Sequence, residues 1–371
     1  MQRMPARPGD SVASIDTPAL IVDLDPFERN LELMANAVRG SGLALRPHAK
    51  SHKCPDIAKQ QVAHGAIGIC CQKVDEAAAF VETGIRDVLV TNEIVALPKL
   101  ARLAGLARTA TIGVLADDLA TIGAISTAAT KAGVTIDVLV EIDVGAHRCG
   151  VTPGPPAVAL AQAIAASPGL RFRGLHAYHG AAQHLRTPAE RCAAIAKAVG
   201  FARDTRDAIV AAGIACPTVT GAGTGTWQLE RDSRVYTELQ PGSYIFMDAD
   251  YSRNALAPDD HAFEQSLYVA ATVMSAPMPE RAIVDAGLKA FAFDSGPPMV
   301  HAALGLNYVS ASDEHGVLRV DPAIARPVVG ERVWLVPGHC DPTVNLYDWI
   351  VGVRGDRVEC VWPVAARGAL G

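Results

Sequence analysis

Short β-branched segments alternate with alanine-rich helical segments from residue 43 to about residue 247, and this alternation limits the possible folds more than any other feature. Alternating strands and helices predict a parallel sheet covered by helices. Eight such units in roughly 200 residues favour a (β/α)8 barrel, with an open doubly wound sheet as the alternative. The candidate strands are residues 43–48, 66–70, 87–90, 111–115, 136–142, 175–178, 217–220 and 243–247.

The pattern changes after residue 248. Strand-like segments at 266–274, 281–285, 332–336, 350–353 and 358–361 alternate with turn residues and show little helical periodicity. They predict a smaller, mainly β domain. We therefore expect an α/β fold in which a TIM-type barrel of residues 20–254 is followed by a β-domain of residues 255–371, which residues 1–19 can join. The run at 19–25 predicts either a strand or the lead-in to a helix at 26–39.

Composition excludes several classes of protein. The 371 residues carry 33 Lys and Arg against 39 Asp and Glu, a net charge of −6, with no basic cluster of the kind that binds nucleic acid. No apolar run approaches the roughly 20 residues that span a membrane. The first 20 residues lack the apolar segment of a secretory signal, and the eight cysteines form no CxxC motif. We expect a cytoplasmic protein with reduced thiols.

A lysine follows the first predicted strand. Lys50 stands between His48 and His52, and in a barrel the residues after the strands form the functional site. An amine at the end of an apolar strand is poised for partial desolvation, which lowers its pKa and favours nucleophilic chemistry. An ordinary surface lysine at a strand exit fits the same pattern.

Two later strand ends also carry polar side chains. Arg148 lies between glycines and is a candidate contact for an anion or a phenolate oxygen, or else part of a surface ion pair. Near the strand at 175–178, His176, His179 and His184 lie close together. Three neighbouring histidines at a strand end suggest a site, although each alone is also typical of a hydrogen-bonded core residue.

A glycine- and threonine-rich turn at 220–226 follows the next strand. Glycines allow backbone N–H groups to turn toward a phosphate, and threonines add hydroxyl donors. The turn lacks the Walker lysine and the Rossmann glycine order. Together with residues 240–244 it predicts a phosphate site across the last two barrel strands, where barrel phosphate sites often lie.

In the predicted β-domain, His339 and Asp341 are two residues apart. In an extended segment they point to the same side and suit a divalent cation, with water or substrate completing the coordination. Cys340 is expected to point the other way. A polar turn before Pro342 is the alternative interpretation.

Taken together, these ordered motifs resemble the D-threonine aldolase and D-serine dehydratase-like family of pyridoxal-phosphate enzymes, which share the fold of bacterial alanine racemase. The resemblance covers nearly the whole chain, through residues 17–20, 46–53, 143–150, 174–184, 221–226, 241–244 and 337–341. It implies a pyridoxal-phosphate barrel followed by a β-domain, in a homodimer whose active sites are built from both subunits.

The resemblance also implies roles for individual residues. Lys50 resembles the Schiff-base lysine, and His184 resembles the histidine proposed as the aldolase base. His339 and Asp341 resemble the pair that binds a divalent metal, either Mn, Mg or Zn. The remaining cofactor contacts implied are Arg148 and Tyr178 at the ring, Gly223, Thr224, Gly242 and Ser243 at the phosphate, and Tyr244.

The implied activity is cleavage of a small D-3-hydroxy amino acid, such as D-threonine, to glycine and an aldehyde. In D-serine dehydratases the corresponding metal pair looks like His-x-Cys. This chain has Asp341 at the second position, and that difference favours the aldolase branch. The alternatives are a D-serine or 3-hydroxy-D-aspartate dehydratase and a 3-hydroxy-D-aspartate aldolase that releases glyoxylate, for which Arg253 is a candidate cation. A non-catalytic cofactor carrier and an alanine racemase are less favoured.

Overall fold

The computed structural model describes residues 3–303 and 305–371. Eight parallel strands form one sheet in the order β2-β9-β8-β7-β6-β5-β4-β3. Their bounds are β2 (Ala44–Leu45), β3 (Ile69–Cys71), β4 (Asp87–Glu93), β5 (Thr111–Ala116), β6 (Ile136–Glu141), β7 (Leu170–His176), β8 (Thr218–Gly221) and β9 (Glu238–Leu239). Backbone bonds from Ile67 N to Leu45 O (2.9 Å) and from Cys70 N to Pro47 O (2.8 Å) close the ring. The predicted barrel is confirmed.

Helices cover the outside of the barrel, as the alternating pattern predicts. After α1 (Leu24–Val38) they are α2 (Pro55–Ala63), α3 (Val74–Glu82), α4 (Leu97–Leu106), α5 (Leu119–Ala132), α6 (Pro155–Ala166), α7 (Pro188–Ala211) and α8 (Trp227–Asp232). Local sequence sets their ends. The Asp118 side chain accepts the Thr121 N–H at 2.8 Å at the start of α5, and Gly133 ends that helix with φ +68°.

One predicted strand is wrong. Residues 243–247 form no strand, because Ser243–Ile245 is a 3₁₀ turn. The eighth barrel strand is β9, which ends at Leu239, before the predicted strand begins. Its two residues pair with β8 on one side, and Leu239 pairs with Leu45 of β2 on the other. The side chains of Tyr244, Ile245 and Phe246 are buried in the main apolar cluster instead.

A second, nine-stranded sheet contains β1 (Ala19–Asp23), antiparallel to β10 and parallel to β16. Its other members are β10 (Leu267–Met278), β11 (Arg281–Val284), β12 (Met299–Val300), β13 (Leu306–Ala311), β14 (Gly316–Val320), β15 (Arg332–Val336), β16 (Trp349–Arg354) and β17 (Arg357–Pro363), and the short helix α9 (Cys340–Val344) lies between β15 and β16. The run at 19–25 is thus a strand that leads directly into α1.

One apolar cluster extends from the outside of the barrel under the second sheet and includes Phe27, Phe246, Leu267 and Ile350. Burial of such side chains stabilises the fold by roughly 1.5–3 kcal/mol each. Because this core is continuous, the division between residues 254 and 255 stays a prediction. Within the described residues, no helix is both long and apolar enough to cross a bilayer.

A bulge in β7 generates a stability prediction. Gly174 has φ +142°, and a Cβ there would lie 1.9 Å from Thr218 O of the neighbouring strand. We expect Gly174→Ala to lower the free energy of unfolding by about 3 kcal/mol, because backbone of two paired strands must move apart. The free energy is measured by urea titration.

Gly200→Ala is the matched control. Gly200 lies inside α7, where a Cβ meets nothing within 4 Å. We expect it to raise the free energy of unfolding by about 0.5–1 kcal/mol, since alanine is the better helix former. Equal effects of the two substitutions would contradict the steric argument.

Candidate active site

A cavity of about 390 Å³ opens at the carboxyl ends of the barrel strands. Eight of the eleven residues predicted to form the site line this cavity. They are Lys50, Arg148, Tyr178, His184, Gly223, Thr224, Gly242 and Ser243. They come from loops that follow five different strands. Parallel strands bring such loops to the same face, which explains why distant motifs meet here.

Lys50 lies in the 3₁₀ turn Ala49–Ser51, directly after β2. The His48 Nδ1 atom accepts the Lys50 backbone N–H at 3.3 Å and holds this turn. The Lys50 ammonium contacts the Asp341 carboxylate. Burial favours a lower pKa, but Asp341 outweighs it and raises the pKa of Lys50. The expected lowering of the Lys50 pKa was therefore wrong, because the Asp341 carboxylate of the second domain faces the amine.

Asp341 and His339 do not themselves line the cavity, but the Asp341 carboxylate contacts the cavity residue Lys50. The Asp341 carboxylate also contacts Ser243 Oγ at 3.3 Å. Burial favours protonation of Asp341, yet Lys50 and His339 hold the pKa of this carboxyl well below its usual range. His339 Nδ1 lies 2.6 Å from Asp294 Oδ2, so its Nε2 is the nitrogen left for a ligand.

The extended conformation expected for this pair was wrong. Only His339 is extended, and α9 begins at Cys340. Cys340 is buried, its N–H donates to Asp248 Oδ2 at 2.8 Å, and burial raises the pKa of its thiol. Among residues 3–303 and 305–371, no group of three or more His, Cys, Asp and Glu side chains is placed to hold a metal.

The glycine-rich turn after β8 forms a cradle. A Cβ at Gly223 would lie 2.5 Å from Gln183 Cδ, and a Cβ at Gly242 would lie 2.5 Å from Ser51 Oγ. Both positions therefore require glycine. The Thr224 hydroxyl is buried without a hydrogen-bond partner in this turn. A buried, unpaired donor beside a cavity fits a bound oxyanion, because leaving it unpaired costs about 1–3 kcal/mol.

Gln183 is a residue that sequence analysis missed. Its Oε1 accepts the Gly225 N–H at 2.9 Å and its Nε2 donates to Thr226 Oγ1 at 2.8 Å, so it braces the cradle from the 3₁₀ turn after β7. A glutamine beside a predicted histidine carries no distinctive pattern. Tyr244 is a second correction, because its side chain is buried in the core, bonded to Gln61 Nε2 at 3.2 Å, and does not line the cavity.

Arg148 and Tyr178 lie together on the barrel side. The guanidinium carbon of Arg148 is 5.9 Å from the centroid of the Tyr178 ring, a cation–π arrangement. Arg148 Nη2 is 3.8 Å from Glu141 Oε1, which also lies 3.7 Å from His176 Nδ1. The arginine is thereby held at the cavity while its side chain stays 53% exposed.

Glu93 and Glu141 are two neighbouring acids near Arg148, and each affects the pKa of the other. Burial and the adjacent Glu141 raise the pKa of Glu93 to about 8. Burial favours the neutral form of Glu141 too, but His176 and Arg148 hold its pKa below the usual range. Glu93 is accordingly neutral near pH 7 beside an ionised Glu141. Sequence analysis missed this pair, since the two acids are 48 positions apart in the chain.

His184 is oriented by a carboxylate. It ends the 3₁₀ turn Ala181–His184, and its Nδ1 lies 2.6 Å from Asp250 Oδ2. The Tyr251 ring lies against it, with ring centroids 5.6 Å apart. Asp250, also missed from the sequence, places an acceptor beside one imidazole nitrogen and leaves the other for the cavity.

Comparisons with known proteins agree with this geometry. The alanine racemase N-terminal domain model matches residues 22–250, and a serine dehydratase domain model matches residues 266–353. A D-threonine aldolase of Arthrobacter is 50% identical over 98% of this chain and 96% of its own. A 3-hydroxy-D-aspartate aldolase of Paracoccus denitrificans is 46% identical over 98% and 95%, and a D-threo-3-hydroxyaspartate dehydratase of Delftia is 30% identical over 95% and 98%.

A solved structure is equally similar. The crystal structure of D-threonine aldolase from Filomicrobium marinum has a TM-score of 0.97 and 50% sequence identity, and the match covers 99% of this chain and 100% of that one. Both domains of the fold therefore occur together in that relative.

The acid pair generates a pH-dependent stability prediction. The pKa of Glu93 is higher in the folded than in the unfolded protein. Its protonation therefore stabilises the fold fully at a pH below the unfolded pKa, and this stabilisation is lost as pH rises through about 8. Glu93→Gln keeps a neutral side chain at every pH. We expect its Tm, relative to wild type, to be higher at pH 9 than at pH 5 by about 2 °C or more.

Glu82→Gln, on an exposed position of α3, is the control, and its Tm difference from wild type is expected to be the same at both pH values. The measurement is differential scanning calorimetry of both variants. A Glu93→Gln difference that does not change with pH would contradict the raised pKa of Glu93.

Proposed function

Because the chain belongs to the alanine racemase-like family of pyridoxal-phosphate lyases that includes D-threonine aldolase and 3-hydroxy-D-aspartate aldolase, we propose that it cleaves D-3-hydroxy amino acids to glycine and an aldehyde with the help of a divalent metal. The observation that carries the proposal is the Lys50 amine in a cavity that is also lined by the Thr224 cradle, with the Asp341 carboxylate in contact with that amine.

The cavity fits pyridoxal phosphate. Lys50 would hold its aldehyde carbon, and the unpaired Thr224 hydroxyl with the backbone of Gly223 and Gly242 would receive its phosphate. Arg148 and Tyr178 would contact its ring. When bound, pyridoxal phosphate supplies an electron-accepting ring that stabilises negative charge at the substrate Cα.

His339 and Asp341 fit a divalent cation as a partial donor set. An imidazole braced by a carboxylate, here Asp294, is the usual arrangement of a metal-bound histidine. Asp341 stays ionised and available. Two side chains leave coordination positions open for water and for the substrate hydroxyl. A cation held there would supply Lewis acidity at that hydroxyl.

His184 acts on the same hydroxyl as general base. The imidazole lines the cavity, and Asp250 occupies its Nδ1, so Nε2 accepts the β-hydroxyl proton. Loss of that proton allows the C=O bond of the aldehyde to form as the Cα–Cβ bond breaks. The substrate leaves as glycine and an aldehyde.

3-Hydroxy-D-aspartate is the second candidate substrate, favoured by the 46% identical aldolase of that name. Its extra carboxylate needs a cation. Arg253 does not line the cavity, and it already contacts Asp250 Oδ1 at 3.7 Å and Ser295 O at 3.1 Å. Arg148 lines the cavity, so it is the cation that this carboxylate would meet in addition to the cofactor ring. Assays for glycine plus acetaldehyde, glycine plus glyoxylate, or ammonia plus a 2-oxo acid separate the two aldolases and the dehydratase.

Homodimeric assembly and a cytoplasmic location stay predictions.

Replacing Lys50 with Ala removes the proposed attachment of the cofactor. We expect the visible absorbance band of the purified protein to disappear and retro-aldol activity to fall at least about 1,000-fold, since no amine is left to bond the cofactor. Lys59→Ala, on the exposed face of α2, should keep both. Borohydride reduction followed by peptide mass spectrometry identifies the modified lysine, and an adduct on any other residue would refute the assignment.

Replacing Asp341 with Ala removes one proposed metal ligand. We expect activity on D-threonine to fall at least about 100-fold and to be restored only partly by excess Mn²⁺, because the coordination sphere has lost a donor. The exposed Asp259→Ala is the control. Activity that is insensitive to chelator in wild type would count against the metal.

A further inference from the structure

The proposed base is tied to a buried carboxylate. Asp250 Oδ2 lies 2.6 Å from His184 Nδ1, and the Asp250 side chain is only 8% exposed. A carboxylate can only accept a hydrogen bond, so Nδ1 carries the proton and the lone pair of a neutral imidazole is on Nε2. Asp250 does not line the cavity, whereas His184 does. Nε2 is therefore the nitrogen that a substrate meets.

Asp250 is itself fixed on its other side. The Arg186 guanidinium donates to Asp250 Oδ1, to Asp250 O at 2.8 Å and to Asn254 Oδ1 at 2.7 Å. Arg253 Nη1 adds a longer contact of 3.7 Å to Oδ1. The two oxygens thus have different partners, since Oδ1 faces arginine and Oδ2 faces histidine. Burial favours a neutral carboxyl, but Arg186 and His184 lower the pKa of Asp250 and keep it charged.

The same segment is anchored to the loop that carries His339 and Asp341. Ala249 N bonds Pro337 O at 3.0 Å, and Asp250 N bonds Gly338 O at 3.2 Å. Asp248 accepts the Cys340 N–H at 2.8 Å. Residues 248–250 therefore hold the histidine and the proposed metal pair in one arrangement across the two domains.

We propose that Asp250 is a positioning residue for the retro-aldol reaction, which keeps His184 in the tautomer that accepts a proton at Nε2 and stabilises the imidazolium that results. This inference rests on the proposed function. In the step, the substrate O–H bond breaks and its proton joins Nε2, while its electron pair becomes the second C–O bond of the aldehyde. The Cα–Cβ bond breaks at the same time, its electron pair stays with Cα, and a proton from water then joins Cα to give glycine. Both imidazole nitrogens are then protonated, and the new positive charge lies against Asp250 until Nε2 returns its proton to water.

Asp250→Asn tests the tautomer directly. Arg186 can only donate, so the amide oxygen takes the place of Oδ1 and the amide NH₂ faces His184 Nδ1. Nδ1 must then accept, which puts the proton on Nε2 and blocks it as a base. We expect kcat to fall about 100-fold while KM changes less than about threefold, with the cofactor absorbance retained.

Asp137→Asn is the matched control. Asp137 is paired with Arg171 at 2.6 and 2.9 Å at the opposite end of the barrel strands. It should leave kcat and KM within about twofold of wild type, because it contacts no part of the cavity.

The double variant separates positioning from a structural role. If Asp250 acts through His184, Asp250→Asn lowers kcat by less than about twofold in a His184→Ala background. A full additional loss there would overturn the proposal. A low kcat in His184→Ala with a wild-type kcat in Asp250→Asn would overturn the positioning role alone, and a wild-type kcat in His184→Ala would overturn the base as well.

Arg186→Lys supplies the same test if Asp250→Asn does not fold. Lysine keeps the charge but has a single nitrogen, whereas Arg186 bonds Asp250 O and Asn254 Oδ1 through Nη1 and Asp250 Oδ1 through the separate Nη2. We expect kcat to fall about tenfold at constant KM, and this loss also to vanish when His184 is Ala. Persistence of the loss in that background would contradict the proposal.

Discussion

The ion pair between Lys50 and Asp341 is the contact on which the arrangement of the site depends. Lys50 follows the first barrel strand and Asp341 lies in α9 of the β-domain, 291 positions later in the chain. The Lys50 side chain is 36% exposed and the Asp341 side chain 12% exposed, so the pair is only partly buried. The contact therefore links the loop after the first barrel strand to α9 of the β-domain.

Several basic side chains at or near the cavity are likewise matched with a carboxylate. Arg148 and His176 lie beside Glu141, His339 lies beside Asp294, and His184 lies beside Asp250. Carboxylates behind the cavity orient the basic groups toward it and keep their charge balanced. Such pairing gives each imidazole a defined orientation, which suits the anionic substrate and cofactor proposed for the site.

The phosphate cradle follows a different principle, because it depends on the absence of side chains. Gly223 and Gly242 lie where a Cβ would collide with Gln183 or Ser51. The backbone can approach a ligand there only because both residues lack a Cβ. The buried Thr224 hydroxyl then provides a donor that finds no partner within the described residues.

The amino-acid sequence alone determined the barrel, the strand–helix alternation and most of the cavity lining, because periodicity reports burial locally and strand ends of a barrel meet on one face. It misplaced the last barrel strand and the conformation at Cys340, where short apolar runs and turns are ambiguous. Only the tertiary structure decided the pKa of Lys50, the buried position of Tyr244 and the partners Gln183, Glu93 and Asp250. Those properties arise from contacts between residues far apart in the chain, which no local pattern records.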